Sequence, residues 1–325
     1  MNGATPSLSI KGLTKRFGSR VAVDGLDLEV MTGEVFGLLG PNGAGKTTAV
    51  RMICGFIPPD AGTIRFEGSG TAEDPRGRIG VCPQELVVWE QLTCLEQLVF
   101  MAEMYGVHSK PARERGVQLL EALGLGDRAH RRAATLSGGM KRRLNLLLAL
   151  AHDPSVVLLD EPEAGLDPQS RVMVRDFVLG LAHRKTVILT SHNMDEVDRV
   201  ADRVGILNEG RLLVVDTPEN IKRNTGAGDA LRIEIEPVEE AVRARGLGAL
   251  KAIVANGAPV TVELQSQVFT VRCSHVVDVV ADVVNTLRAL GFRIRSLSIR
   301  ENTLEDAFIS LTGRSLASES AETVS

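Results

Sequence analysis

Over the first two hundred residues, short Val/Ile/Leu runs alternate with stretches of helix length, the pattern of a parallel sheet covered by helices on both faces. Uninterrupted apolar runs mark strands buried on both sides, and four stand out: Val35 to Leu39, Val156 to Asp160, Thr186 to Thr190 and Val204 to Leu207. From about Glu85 to Leu136 the alternation stops and Leu, Glu and Ala recur at helical spacing, which predicts a helical insert. Near Asn224 the sequence turns to Thr-Gly-Ala-Gly-Asp, a flexible joint. A different texture follows, with apolar and charged residues in strict alternation over 231–236. It predicts a strand over 230–236, a helix over 238–246, strands near 250–255, 260–265 and 267–272, a helix over 275–290, a strand over 293–299 and a helix over 303–312. These make a small α+β domain. From residue 314 to 325 the apolar content is too low to pack, and a disordered tail is expected.

Composition narrows the picture. At roughly 150 residues per domain, 325 residues suggest two domains. Hydrophobic residues at 44% and charged residues at 24% are those of an ordinary folded chain, which excludes wholesale disorder. A formal net charge of −4 gives no global basic field for nucleic acid or anionic lipid. One Trp and one Tyr are too few for a stacked-base platform, so no nucleic-acid partner is expected. The four cysteines show neither CxxC nor His at metal spacing, so reduced core thiols of a cytosolic protein are expected and zinc is not. The longest strongly apolar run, Leu144 to Ala151, is far shorter than the ~20 residues of a spanning helix. Residues 1–10 lack a signal layout, so the chain is expected to be soluble and to stay inside the cell.

Three segments carry chemistry. Gly40-Pro41-Asn42-Gly43-Ala44-Gly45-Lys46-Thr47 fits the phosphate-loop pattern, directly after the apolar run 35–39 and before a helix-compatible stretch that starts at Thr48. Its glycines let backbone N–H groups point at anionic oxygens and the helix start adds positive dipole. Lys46 neutralises terminal phosphates, and the Thr47 hydroxyl can ligate magnesium. Val156-Val-Leu-Leu-Asp160-Glu161 is a buried strand ending in two acids at the edge where open α/β sheets bind ligands. Asp160 there can hold Mg2+, and Glu161 can polarise an attacking water as general base. Ser137, Gly138 and Gly139 open a long Leu/Ala helix and form a second glycine-rich anion site. One phosphate chain cannot lie on both loops of one compact domain, so this second motif is expected to serve a nucleotide held by another copy.

Together, GPNGAGKTT, LSGGM, VVLLDEP, Ala164-Gly-Leu-Asp167 and Thr190-Ser-His192 resemble the Walker A, signature, Walker B, D-loop and H-loop of an ABC transporter nucleotide-binding subunit. The resemblance covers about residues 7 to 222 and implies a P-loop NTPase cassette, a mixed sheet core with a helical insert at about 85–136. A linker over 223–229 and the small α+β domain over 230–313 follow. It also implies that Gln84, in Cys-Pro-Gln-Glu, reaches the magnesium or the attacking water, and that His192 contacts the γ-phosphate of ATP. Phe17 would stack on adenine, against a bland alternative in which it is core.

Two positions depart from the family pattern: Met140, where Gln is commoner, and Glu163, where a small hydroxyl residue usually follows Glu-Pro and an extra carboxylate near the magnesium is expected. Lys141-Arg-Arg143 is expected to be the solvated or phosphate-facing side of a helix start. Near the chain end, Glu301-Asn-Thr-Leu-Glu-Asp-Ala-Phe-Ile-Ser-Leu-Thr-Gly313 is similar to the daunorubicin-resistance type of ABC-2 exporter ATPases. The resemblance implies an ATPase subunit peripheral to the cytoplasmic face of the membrane, working with a separate integral membrane permease and a second ATPase subunit. An importer ATPase, a soluble ABC protein acting on nucleic acid or ribosomes, and a chromosome-type ATPase with a coiled-coil arm are the alternatives. The short interval between Lys46 and Asp160 leaves no room for such an arm. Leu86 to Trp89, with no alternation, is either a docking surface for the membrane subunit or core.

Overall fold

All five residues of Val35–Leu39 are buried, as are all five of Val156–Asp160, and these two runs organise the larger part of the molecule. The computed structural model describes residues 5–66, 79–225, 228–254, 261–273 and 276–312, which fall into two units, one ending at Thr217 and the other starting at Pro218. The first unit holds β1 (Pro6–Phe17), β2 (Arg20–Met31), β3 (Val35–Leu39), α1 (Lys46–Ile53), β4 (Ala61–Phe66) and β5 (Ile79–Cys82). It continues with α2 (Cys94–Met104), α3 (Ser109–Ala122), α4 (Gly138–Leu148), β6 (Val156–Asp160), α5 (Pro168–Leu181), β7 (Thr186–Ser191), α6 (Met194–Val200), β8 (Arg203–Asn208) and β9 (Arg211–Asp216).

Six strands form one sheet in the order β5-β6-β7-β3-β8-β9, and every pair is parallel except β8–β9. The sheet is thus mixed at one edge. There Glu209 (φ 48°) and Gly210 (φ 80°) make a two-residue hairpin whose positive φ angles match a type I′ turn. A separate antiparallel sheet, β2-β1-β4, was not among the predicted strands. Its β2 alternates buried Leu26, Leu28 and Val30 with exposed Asp27 and Glu29, the signature of a half-buried strand. In β1 the period is broken by register shifts around Gly12 (φ 59°), so the pairing cannot be read from alternation alone. One apolar cluster, including Leu8, Leu26, Phe36, Leu38, Val50 and Leu158, welds this sheet and α1 to the six-stranded one.

Between β5 and α4 the chain is helical. A reciprocal capping box starts α2: Glu96 N–H donates to Thr93 Oγ1 (3.2 Å) and Thr93 N–H to the Glu96 carboxylate (2.8 Å). All four cysteines are buried and none is in a disulfide. Burial pushes the Cys54 and Cys82 thiols up to about 12, far from the thiolate range. Among the described residues no helix is long and apolar enough to cross a membrane.

The second unit contains α7 (Pro218–Asn224), β10 (Asp229–Ile235), α8 (Glu240–Val254), β11 (Thr261–Gln265), β12 (Val268–Cys273), α9 (Val276–Ala289), β13 (Ile294–Arg300) and α10 (Leu304–Thr312). Its four strands form an antiparallel sheet, β11-β12-β10-β13, over a core that includes Leu231, Ile233, Phe269 and Phe292. The strand expected near 250–255 is not there, because α8 continues to Val254. Val242, Gly246 and Leu250 recur at four-residue spacing on its inner side. A glycine is required at 246 because a Cβ would come within 2.7 Å of the Phe292 ring and 2.9 Å of the Phe269 ring. The tail expected over 314–325 lies outside the described residues.

Gly80 in β5 faces the last turn of α4 so closely that a Cβ would lie 1.9 Å from the Ala149 carbonyl oxygen. Gly80→Ala must push backbone against backbone. It is expected to cost about 1–3 kcal/mol, seen in thermal denaturation as a loss of several degrees in Tm.

Candidate active site

The parallel register decides what meets at the C-terminal edge of the sheet. Leu39 is paired with Ser191 and Asp160 with Thr190, so the loops after β3, β6 and β7 leave side by side. After β3 the backbone turns through Gly40–Gly45 into α1. Gly45 caps that helix with φ 106°, and a Cβ there would strike the Ala22 carbonyl at 2.3 Å; one on Gly40 would strike the Leu207 carbonyl at 2.2 Å. Only glycine fits such a cradle.

Lys46 is buried and folded back over the loop, its Nζ donating to the carbonyls of Gly40 (2.7 Å) and Pro41 (3.0 Å). Burial pulls its pKa down, while the Glu161 and Asp160 carboxylates pull it up. Asn42 to Thr48 line a cavity of about 400 Å³ together with Phe17, Arg20, Ala22, Gln84 and Glu161. Phe17 is 53% exposed, which disposes of its core alternative. It pairs across the β1–β2 hairpin with Arg20, whose guanidinium reaches the Gly43 carbonyl (3.4 Å).

Asp160 ends β6 buried, its Oδ1 accepting a close hydrogen bond from the Thr190 hydroxyl. Glu161 follows in the left-handed region (φ 49°), its N–H donating to the Thr190 carbonyl at 3.1 Å. Its carboxylate is met from two sides: Gln84 Nε2 lies 3.0 Å from Oε2 and His192 Nδ1 lies 2.9 Å from Oε1. Three residues scattered over more than a hundred positions therefore form one chain of contacts. Thr47, Gln84 and Asp160 also line a common cavity of about 210 Å³. A hydroxyl, an amide and a carboxylate are the hard oxygen donors that suit Mg2+, a cation that keeps waters and phosphates in the rest of its shell.

Ser137 caps α4, its Oγ accepting from Met140 N–H at 3.3 Å. Ser137, Gly138 and Gly139 do not line the cavity of their own chain's phosphate loop. The basic triplet beside them corrects the sequence expectation. Only Lys141 is on the outside, paired with Glu90 (2.6 Å), whereas Arg142 and Arg143 are buried. Arg142 donates to the carbonyls of Gln84, Glu161 (2.5 Å) and Pro162 (3.4 Å), and Arg143 to that of Leu123 (2.9 Å). Sequence reasoning missed Arg142 and, one turn on, buried Asn145; the available signal was two strongly polar residues on the apolar side of the helix.

Glu163 is also displaced from expectation. It does not line the Thr47–Asp160 cavity but a separate one of about 180 Å³, with Glu161, Arg171 and His192 among its walls. Burial, then the nearby Glu196 carboxylate, raise its pKa from 4.5 to about 7 against the opposing pull of Arg171 and Arg175. Between pH 4.5 and 7 the folded chain therefore holds a proton that the unfolded chain has lost, so this group makes stability fall as pH rises through that window. Glu163→Gln, which has no proton to lose, should match the parent below about pH 4 and melt higher at pH 8. Equal Tm values at pH 8 would refute the assignment.

Residues 23–164 match the family model "ABC transporter". The chain is 36% identical to the linearmycin resistance ATP-binding protein LnrL of Bacillus subtilis, over 95% of this chain and 99% of that one. It is 36% identical to the daunorubicin/doxorubicin resistance ATP-binding protein DrrA of Streptomyces peucetius, over 98% and 96%. With the Nod factor export ATP-binding protein I of Ralstonia nicotianae the figures are 38%, 97% and 96%. A solved ATP-binding subunit of an ABC transporter superposes with a TM-score of 0.62 at 29% identity, covering 68% of this chain and 94% of that one. Because the relatives match nearly the whole length and the solved structures match the cassette, the chain belongs to the ABC transporter family as one of its ATP-binding, ATP-hydrolysing proteins.

Proposed function

We propose that this ATPase powers an ABC-2 type exporter: two such subunits close around two ATP molecules at the cytoplasmic face of the membrane and drive a separate integral membrane permease. The observation that carries this reading is the separation of the two glycine-rich helix starts. Gly40–Lys46 shares a cavity with Gln84 and Glu161, and Ser137–Gly139 stands outside it. Each offers backbone donors and a helix dipole to phosphate, so the second completes the first only across a two-fold axis.

Within one site, the exposed Phe17 ring receives adenine and the amides of Asn42 to Thr48 receive the phosphates. Lys46 exchanges the Gly40 and Pro41 carbonyls for the terminal phosphates. Thr47, Asp160 and Gln84 would hold magnesium, which would supply charge neutralisation to the phosphates. Glu161 takes the proton of the attacking water. Each of its oxygens has one partner here and keeps a further lone pair for a water, and if the His192 contact breaks, His192 can turn toward the γ-phosphate.

Relatives at 36–38% identity are named for linearmycin resistance, daunorubicin/doxorubicin resistance and Nod factor export. One type of ATPase thus serves unlike cargoes, which assigns cargo choice to the permease.

The dimer gives a direct test. Glu161→Gln should keep ATP binding, lose about two to four decades of hydrolysis, and be dimeric with ATP but monomeric with ADP. Adding Ser137→Arg should block that dimer while leaving ATP affinity nearly intact. Light scattering at fixed protein concentration decides; an oligomeric state indifferent to nucleotide would sink the composite site.

The permease contact is assigned to the segment after Gln84. Leu86 (46%), Val87 (50%) and Trp89 (37%) are exposed, and the Trp89 ring meets exposed Phe100 edge-on at 5.6 Å. An apolar patch of this kind suits a helix of a partner chain. Trp89→Ala should cut transport in permease-containing vesicles while moving Tm by no more than a few degrees. A large fall in Tm with uniform inactivation would instead mark Trp89 as core.

A further inference from the structure

Helix α4 does two things at once. Its first residues carry the Ser137–Gly139 anion site, and its inner face holds the backbone of two other catalytic segments. A guanidinium withdrawn from water is costly unless its donors are matched, and Arg142 matches them with three carbonyls, those of Gln84, Glu161 and Pro162. Its planar fork carries donors on separate nitrogens, so one side chain bridges two segments of backbone, the one at Gln84 and the one at Glu161 and Pro162. Three positions later, on the same face of the helix, buried Asn145 donates from Nδ2 to the carbonyls of Pro83 (3.2 Å) and Glu85 (3.5 Å), and its Oδ1 accepts from Val87 N–H (3.0 Å). Between them the two residues grip the segment 83–87 at four backbone groups. That segment carries the Gln84 side chain, which lies 3.0 Å from the Glu161 carboxylate.

We propose that Arg142 is a positioning residue for hydrolysis, the buried bridge by which helix α4 fixes Gln84 and Glu161 relative to each other, so that engagement of Ser137 with one nucleotide is felt at the water-activating carboxylate of the other site. The inference rests on the composite dimer argued above. Among the described residues the hydrogen bonds of Arg142 go to backbone carbonyls. Its effect is therefore on where the Gln84 and Glu161 side chains are held, and not on phosphate or water directly. A misplacement of about 1 Å is enough to cost on the order of 100-fold in rate, whereas the walls that bind ATP (Phe17, Lys46, Thr47) are not held by this residue.

The test uses the full chain with Arg142→Lys, which keeps a buried cation but loses the planar fork with donors on separate nitrogens, and Arg142→Gln as a second, neutral variant. ATPase kinetics should show kcat lower by about 10- to 100-fold with KM within about twofold, and a Hill coefficient for ATP that falls toward 1. Placed in the Glu161→Gln background, Arg142→Lys should still dimerise with ATP. Because a partly unfolded population lowers apparent kcat at unchanged KM, rates are normalised to the folded fraction seen by circular dichroism, and the Hill coefficient, which a loss of active enzyme does not move, separates positioning from destabilisation. The proposal is overturned if kcat is unchanged in a folded variant, if KM rises in step with the loss of kcat, or if the double variant no longer dimerises, since α4 would then act on assembly. If Glu161→Gln alone fails to dimerise, the composite site falls, and the kcat effect of Arg142→Lys still tests its hold on Gln84 and Glu161 within one chain. Should Arg142→Lys not fold, Arg142→Gln carries the same kinetic comparison, and if neither folds, the residue is a structural bridge and the positioning role is rejected.

Discussion

The register of three parallel strands is the constraint on which the site depends. β3, β7 and β6 are buried on both faces and hydrogen-bonded so that Leu39 faces Ser191 and Thr190 faces Asp160. Side chains alternate with a strict period of two, so a slip of one residue would turn every core side chain to the other face. The apolar runs that make these strands sticky therefore also fix, to a single residue, where each stops being apolar. At those three stops stand the glycine loop, the Asp160–Glu161 pair and His192.

Much of this is legible in sequence for a physical reason. Phosphate binding needs glycines at positions where a Cβ would collide with the Ala22 or Leu207 carbonyl, and a strand buried on both faces needs an unbroken apolar run. Both demands fall on residue type at fixed spacing. What escaped depends on partners that a sequence does not display. The bulges around Gly12 hide the period of β1, and α8 runs through two glycines because Gly246 lies against two phenyl rings. Arg142 and Arg143 resemble a solvated triplet because their acceptors are backbone carbonyls, which every residue has. Of these, only β2 was within reach, through its Leu26–Val30 alternation.

Glu163 shows how an acid can be out of place without being catalytic. Its neighbours include one carboxylate, Glu196, and two arginines, and the arginines do not outweigh burial. A group that is still half protonated near pH 7 adds less negative charge beside Glu161 and His192 than an ordinary carboxylate would. Its departure from the family pattern is therefore compatible with the chemistry that the neighbouring residues support. Asp160 is held differently, by a hydroxyl donor from the adjacent strand.

Glu161 brings these threads together. It sits at positive φ, a conformation that an L residue adopts only when its surroundings hold it there, and its N–H and C=O are both claimed, by Thr190 and by Arg142 and Ala164. The backbone of Glu161 is therefore pinned, while its carboxylate is met by two side chains from separate segments, Gln84 and His192. An attacking water would have to share the carboxylate oxygens with these two partners. Activation then needs no movement of Glu161 itself. On the proposed function it needs room beside one of these two partners, and they come from separate segments, one after β5 and one after β7.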